Sequence, residues 1–312
     1  MSATGRNAPP VAVVTGAASG IGLELVRRLS RTHRVALLDV DGPAAGRAAA
    51  EIGGGALAVA CDITDADSVA AAVRAVVERF GGIDVAVSNA GIGSAGAARH
   101  LDPDALARQL AVNVTGNWRF LHACLPHLEA SRGYLLGVAS AAALMAPPGE
   151  SFYGASKAGL EALLDTLRTE IAHLGVDVGV AYLMFVDTPM VRQGDRDHPD
   201  LELMRRRLPG AAGRTIPVET AAGILARGVD RRAARIFVPG SLRTQYVLRG
   251  VIRSLMDRPL RRMAPELDAL TAAKVRERGP YDAAFGRRPR ADGQQAQDTG
   301  EAPTVRAPTR GS

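Results

Sequence analysis

Tyr153 and Lys157 stand four residues apart in the stretch Ser151-Phe152-Tyr153-Gly154-Ala155-Ser156-Lys157. On a helix that spacing puts a phenol and an ammonium on one face, about one turn apart. A cation so placed favours the phenolate, which predicts a Tyr153 pKa lowered towards neutrality. A phenol tuned that way gives a proton to a carbonyl, or takes one from an alcohol, at working pH. Lysine is scarce in this chain: of 38 basic side chains only Lys157 and Lys274 are lysines. A tyrosine and a lysine at this spacing also occur by chance on surface helices. The weight of the pair therefore rests on what surrounds it.

A second group of residues suits a nucleotide. The apolar run 11–15 leads into Thr15-Gly16-Ala17-Ala18-Ser19-Gly20-Ile21-Gly22 and then into a helical pattern. Glycines let the backbone turn tightly and approach a pyrophosphate, whose charge is met by the helix N-terminus. The spacing differs from the GxGxxG fingerprint but shares its strand–turn–helix context. Asp39 closes the next apolar run, 17 residues after Gly22. An acid at that place hydrogen-bonds the adenosine ribose hydroxyls and repels a 2′-phosphate. Positions 40 and 41 are Val40 and Asp41, and the glycine turn holds no arginine. NAD(H) is expected over NADP(H).

The elements that must position these groups follow from apolar patterning. Strands are predicted over 11–15, 35–38, 57–61, 85–88, 134–138, 177–183 and 235–238. Helices are predicted over 21–30, 44–52, 68–80, 105–128, 151–174 and 218–228. Short apolar strands alternating with helices imply a doubly wound, Rossmann-like parallel sheet covered on both faces. The stretch 191–217, with Arg205-Arg206-Arg207 and Pro209-Gly210, reads as a long irregular loop over the cleft.

At 312 residues, with 47% hydrophobic and 22% charged side chains, the chain has material for an ample core. Its longest apolar runs fall short of the roughly 18–20 residues of a membrane span, and the first ten residues hold no signal-peptide core. Cys61 and Cys124 lie in apolar elements without metal-ligand spacing. Two reduced, buried thiols in a cytoplasmic protein are expected, with no metal site. The net charge is +6. Residues 1–240 carry 24 basic and 24 acidic side chains, and residues 241–312 carry 14 and 8. A neutral body with a basic appendage argues against a nucleic-acid-binding domain.

Thr15 to Gly22, Asp39, Asp62-Ile63, Asn89-Ala90-Gly91, Asn113, Ser140, Tyr153 and Lys157 fall in the order and at the spacings of the short-chain dehydrogenase/reductase family, which this chain resembles over about 10–240. The resemblance implies a catalytic set of Asn113, Ser140, Tyr153 and Lys157. It implies a cofactor held by Gly16, Ser19, Gly20, Ile21, Gly22, Asp39, Asp62, Ile63, Asn89, Ala90, Gly91, Tyr153, Lys157, Val186 and Thr188. In the family the Asp62 and Ile63 positions hold the adenine, and Asn89 braces the sheet. Asn113 kinks its helix and holds a water that links the lysine to solvent. Ser140 steadies the substrate oxygen, and Val186 and Thr188 hold the nicotinamide carboxamide. Ser88 stands where the family writes a first asparagine. Leu183-Met184 replace the usual Pro-Gly, which places a bulky side chain beside the nicotinamide end.

Met184, with Leu144, Met145, Ala146, Pro147 and Pro148 as the other wall, predicts a pocket for an apolar alcohol or ketone. A lipid-, steroid- or terpenoid-like substrate fits that wall. Family analogy implies a homodimer or homotetramer. Beyond 240, a basic amphipathic helical extension is expected to 286 and a disordered tail over 287–312. Val247, Leu248, Val251, Ile252 and Leu255 recur at helical spacing among six arginines, from Arg243 to Arg262. That stripe is expected to pack on the core, the cleft or a neighbouring subunit, with peripheral membrane contact through 243–262 as the other reading. A non-catalytic NAD(H)-binding regulator and a membrane-surface protein are the rivals to an NAD(H)-dependent oxidoreductase.

Overall fold

Seven short apolar runs become one parallel sheet: β1 Val11–Thr15, β2 Arg34–Asp39, β3 Leu57–Ala60, β4 Val85–Ser88, β5 Tyr134–Val138, β6 Asp177–Leu183 and β7 Arg235–Val238. Their order is β3-β2-β1-β4-β5-β6-β7, every neighbouring pair being parallel. The computed structural model describes residues 8–145, 147–198, 205 and 213–285. Expectations that fall on Ala146, on Arg206, Arg207, Pro209 and Gly210, and on the tail 287–312 lie outside the described residues.

The strands do not alternate apolar with polar, because both faces are covered. Val11, Val13, Ala36 and Leu38 point into one buried cluster with α3 (Ala66–Phe80), α5 (Asn117–Ser131) and α7 (Ser151–Glu170). Ala12, Val14, Val35 and Leu37 point into the other, with α1 (Gly20–Leu29), α2 (Gly42–Ile52) and α9 (Val218–Asp230). Successive residues of a strand face opposite ways, so one apolar run serves two cores. The chain leaves β1 for β2 on one side and reaches β4 on the other. The crevice at that reversal, beyond the strand C-termini, is where such sheets bind ligands.

Several boundaries differ from expectation for local reasons. The helix predicted over 105–128 runs as α4 (Pro103–Leu110), a π-helical turn (Ala111–Gly116) and α5. Asp102 caps its start by accepting from Asp104 N, with Pro103 in the first turn. Among the described residues of the body, two helices were not predicted: α6 (Ala142–Met145) and α8 (Pro189–Asp197). The latter had a readable signal, Thr188 capping with Pro189 next, and Thr188 Oγ1 accepts from Val191 N at 3.3 Å.

The C-terminal extension is helical, as expected: α10 (Leu242–Val247), α11 (Arg249–Arg278, 30 residues) and α12 (Asp282–Phe285). Polar contacts clasp it to the body. Arg249 Nη1 donates to Glu161 Oε1 at 3.0 Å, and Arg253 donates to the carbonyls of Leu144 and Ala143 at 2.9 and 2.8 Å. Ala97 N donates to Thr271 Oγ1 at 2.9 Å, and Ala95 N to the Ala284 carbonyl at 2.9 Å. Of the stripe expected to pack on the core, the cleft or a neighbouring subunit, Val247, Leu248, Val251 and Leu255 are exposed on this chain, and Ile252 is half-buried. Arg249 and Arg253 set the orientation. Val251 and Leu255 each lie two residues further along the helix, roughly 200° round from the face those arginines fasten. Among the described residues no helix is long and apolar enough to cross a membrane.

Candidate active site

The C-terminal ends of β1, β4, β5 and β6 bring the predicted residues together. At the glycine turn, Gly16 and Gly20 have φ of +63° and +55°. A Cβ on Gly22 would lie 2.2 Å from the Gly16 carbonyl oxygen and 2.7 Å from Asn89 Nδ2, so only glycine fits there. Asn89 Nδ2 donates to the carbonyls of Thr15 and Gly16 at 3.0 and 3.1 Å. Thr15 Oγ1 accepts from the backbone N–H of Asn89 and of Ala90, each at 3.1 Å. Thr15 is thus a second brace between β1 and β4 that the motif spacing did not single out.

Asp39 reaches back to the same turn. Its Oδ2 accepts from Ala18 N at 2.9 Å and its Oδ1 from Asp41 N at 3.0 Å. Asp62 Oδ1 accepts from Thr64 N and Oγ1 at 2.8 and 2.7 Å, and Asp65 caps α3. Ile63 is buried against the π-helical turn, 2.9 Å from where a Gly116 Cβ would stand.

Asn113 sits inside that turn, fully buried. Its Oδ1 accepts from Ile92 N at 2.9 Å; its Nδ2 donates to the Ile92 carbonyl at 2.9 Å and to Ser156 Oγ at 3.0 Å. Ser156 Oγ in turn donates to the Tyr153 carbonyl at 2.8 Å. A Cβ on Gly91 would lie 3.1 Å from Asn113 Oδ1 and 3.3 Å from Lys157 Nζ, so a bare backbone at 91 keeps this corner open.

Ser140 follows β5 and is nine-tenths buried. Its Oγ accepts from Ala142 N at 3.2 Å. Burial pushes the Tyr153 phenol up to about 12; the hydrogen bond with Ser140 opposes that rise and the Glu150 carboxyl adds to it. This corrects the expectation that Lys157 lowers the phenol towards neutrality. Lys157 Nζ lies 5.9 Å from the Tyr153 ring centroid and donates to the Val138 carbonyl at 2.9 Å. Burial in turn brings the Lys157 ammonium down to about 8. Desolvation outweighs attraction here because both groups leave water together. Glu150, which precedes α7, was missed by sequence reasoning; burial raises its carboxyl to about 7.

Asn117, one turn beyond Asn113, was also missed. It is buried, and its Nδ2 donates to the carbonyls of Ala90, Val112 and Asn113 at 3.0, 3.2 and 3.1 Å. Ser88 Oγ donates to its Oδ1. The serine at 88 thus has a dedicated partner 29 residues away, and the pair ties the end of β4 to the π-helical turn. Asn117→Ala leaves the buried Ser88 hydroxyl unpaired and takes a donor from the half-buried Ala90 carbonyl. A loss of about 1–3 kcal/mol in urea unfolding is expected.

Thr188 spends its hydroxyl on the α8 cap while its methyl lies 3.4 Å from where a Gly20 Cβ would be. Val186 is buried and pairs with Ile216. With Leu183-Met184 in place of Pro-Gly, the ladder extends one residue beyond β6: Met184 N donates to the Val238 carbonyl at 2.9 Å. Met184 and Met145 pack against the core cluster that holds Leu144.

These features fit a dinucleotide. The N-terminus of α1 has no side-chain cap and no acid in its first turn, which leaves its N–H groups and dipole available to a pyrophosphate. The glycine cradle admits no Cβ at 22, and the Asp39 carboxylate is fixed beside it.

The comparisons agree with this frame. The family model described as short chain dehydrogenase matches residues 10–199. The 2-(R)-hydroxypropyl-CoM dehydrogenase of Xanthobacter autotrophicus is 36% identical over 200 residues, 61% of this chain and 80% of that protein. The trans-4-hydroxycyclohexanecarboxylate dehydrogenase of Sinomonas cyclohexanicum is 34% identical over 195 residues, 59% and 75% of the two chains. Among solved structures, a 3-ketoacyl-(acyl-carrier-protein) reductase from Brucella melitensis complexed with NADH superposes with a TM-score of 0.66 at 29% identity, covering 74% of this chain and 97% of that one. A family match across more than half the sequence, on a sheet of this topology, makes this chain a member of the short-chain dehydrogenase family of oxidoreductases.

Proposed function

We propose that the protein interconverts a secondary alcohol and a ketone with NAD(H), on an apolar substrate. The observation that carries this is the grouping of Ser140, Tyr153 and Lys157 beyond the end of β5, with Lys157 Nζ 5.9 Å from the Tyr153 ring centroid and donating to the Val138 carbonyl. In oxidation Tyr153 takes the hydroxyl proton; in reduction it returns one to the carbonyl oxygen. Ser140 donates to that oxygen as charge develops on it. Lys157 holds a positive charge behind the phenol, and Asn113 fixes the turn next to it. Gly16, Ser19, Gly20, Ile21 and Gly22 receive the pyrophosphate, Asp39 the adenosine ribose, and Asp62 and Ile63 the adenine. Asn89, Ala90 and Gly91 leave room for the cofactor, and Val186 and Thr188 hold its carboxamide. The bound nicotinamide supplies the hydride acceptor or donor.

The NAD(H) preference rests on the Asp39 carboxylate, whose charge opposes a 2′-phosphate. Asp39→Asn keeps an acceptor for Ala18 N and removes the charge. The ratio of kcat/KM with NAD⁺ to that with NADP⁺ is expected to fall about tenfold or more, since juxtaposed like charges cost several kcal/mol. An unchanged ratio would sink the ribose assignment.

Met145 and Met184, both half-buried, support the apolar substrate, whereas Leu144, expected in the same wall, is buried in the core. The two relatives, named as dehydrogenases of hydroxy compounds, support the alcohol chemistry and not the apolar character of the substrate. The experiment is a nicotinamide-absorbance screen crossing NAD⁺ and NADP⁺ with secondary alcohols from short and polar to steroid-like. Turnover with NAD⁺ and an apolar alcohol is the expected result. NADH binding without turnover on any alcohol would favour the regulatory reading instead. The proposal extends to a cytoplasmic homodimer or homotetramer, in keeping with the free, buried Cys61 and Cys124. Light scattering measures the assembly.

A further inference from the structure

The exposed large apolar side chains are concentrated in the extension. Among the described residues nine are exposed, and six of them, Val247, Leu248, Val251, Leu255, Met256 and Leu270, lie in α10, in α11 or at the joint between them. An apolar concentration of this kind on one element marks a contact surface, whereas scattered single residues do not. Val251, Leu255, Arg258 and Arg262 follow one another at i, i+4, i+7 and i+11, which puts them on one face of α11, and all four are exposed. Two apolar turns are thus continued by two turns of arginine.

The charge on this face decides its partner. Residues 242–265 contain six arginines and a single acid, Asp257, whose Oδ2 is already held by Arg261 at 2.9 Å. Arg249 and Arg253 are fastened to the body on the opposite side of the helix. A second copy docking by the same face would set arginine against arginine, or against valine, with no free acid in the segment to meet it. A phosphate-bearing lipid surface satisfies both halves. Aliphatic side chains enter the acyl boundary, and guanidinium groups on long stems stay at the phosphates, which they bind by paired N–H groups. The excess charge of the whole chain lies beyond residue 240, so attraction to such a surface would turn this face towards it.

We propose that the exposed face of α10 and α11, from Val247 to Arg262, docks the protein on an anionic lipid bilayer. Docking by this face does not depend on the reaction assigned above. Arg253 links this helix to the carbonyls of Ala143 and Leu144, so docking would hold the wall beyond Ser140 near the lipid.

The test is co-sedimentation of the full chain with vesicles of phosphatidylcholine containing roughly one third phosphatidylglycerol, against pure phosphatidylcholine. Pelleting with the anionic vesicles alone is expected, with release at high salt as the charges are screened. Val251→Asp with Leu255→Asp should abolish pelleting. Arg258→Gln with Arg262→Gln should weaken it by about 25-fold, at about fivefold for each positive charge removed near the surface. Circular dichroism of both variants guards against misfolding, which the exposure of these four residues makes no reason to expect. Failure of the intact chain to pellet with anionic vesicles would overturn the proposal, as would pelleting untouched by both double variants. A fall in solution mass on Val251→Asp with Leu255→Asp, without vesicle binding by the intact chain, would reassign the face to contact between copies.

Discussion

Replacing Tyr153 by phenylalanine should lower turnover by about 10²–10⁴-fold, the usual contribution of a positioned acid–base group. NADH binding, followed by fluorescence, should stay close to the parent value, because the ring and its packing remain. A variant with normal binding and full turnover would refute the assignment. The direction of the pKa shift adds a pH test. With the phenol pushed up to about 12, Tyr153 is protonated in the resting enzyme at neutral pH. That state is ready to donate, so ketone reduction should not need high pH. Alcohol oxidation needs the proton removed first, so its kcat/KM should climb as pH rises from 6 to 9 while that for reduction stays flat or falls. The Phe variant should lose this difference. A parent profile for oxidation that falls over the same range would contradict the role.

Ser140→Ala should cost about 10²–10³-fold in turnover, the effect of removing one donor aimed at a developing oxyanion. The hydroxyl also lowers the Tyr153 pKa, so its loss should move the rise in the oxidation profile to higher pH. Ser140→Thr keeps a hydroxyl and should recover part of both effects. Ser140 Oγ has structural bonds as well, accepting from Ala142 N and donating to the Leu183 carbonyl at 3.5 Å, and their loss alone would lower stability without moving the pH profile. A shift in the profile therefore separates the two roles. If the variant is merely less stable, with kcat and pH dependence intact, Ser140 is a loop-bracing residue.

Much of the fold was legible because its signals are local. Val11–Thr15, Val85–Ser88 and Tyr134–Val138 are short aliphatic runs bounded by turn residues, and each became a strand. A run buried on both faces needs no partner's identity to be recognised. The glycine turn was readable for the same reason: a backbone at φ of +63° followed by a helix start demands glycine wherever it occurs. Helix α8 could have been read from Thr188 and Pro189, and was obscured by the charged residues around it.

The candidate site was legible as a set of positions and less so as a set of interactions. Motif order placed Asn113, Ser140, Tyr153 and Lys157, and the structure brings them to one end of the sheet. What Lys157 bonds to was not readable, because the Val138 carbonyl is 19 residues away and competes for the same ammonium. Asn117 carried no signal of its own; its meaning comes from Ser88, across 29 residues. The extension shows the same limit. Its apolar spacing is a helical pattern, and spacing alone cannot say which face meets the body. Arg249 and Arg253 decided that, by reaching Glu161 and the carbonyls of Ala143 and Leu144, over 88 to 110 residues.

By itself, then, the sequence determined the order of elements, the parallel sheet, the glycine turn and the identity of the groups at the strand ends, since each depends on periodicity or spacing along a few neighbouring residues. The tertiary structure alone decided the protonation tendencies of Tyr153 and Lys157, the pairing of Ser88 with Asn117 and the exposed face of α11. Those depend on desolvation and on contacts between distant segments, and neither exists until the chain has closed on itself.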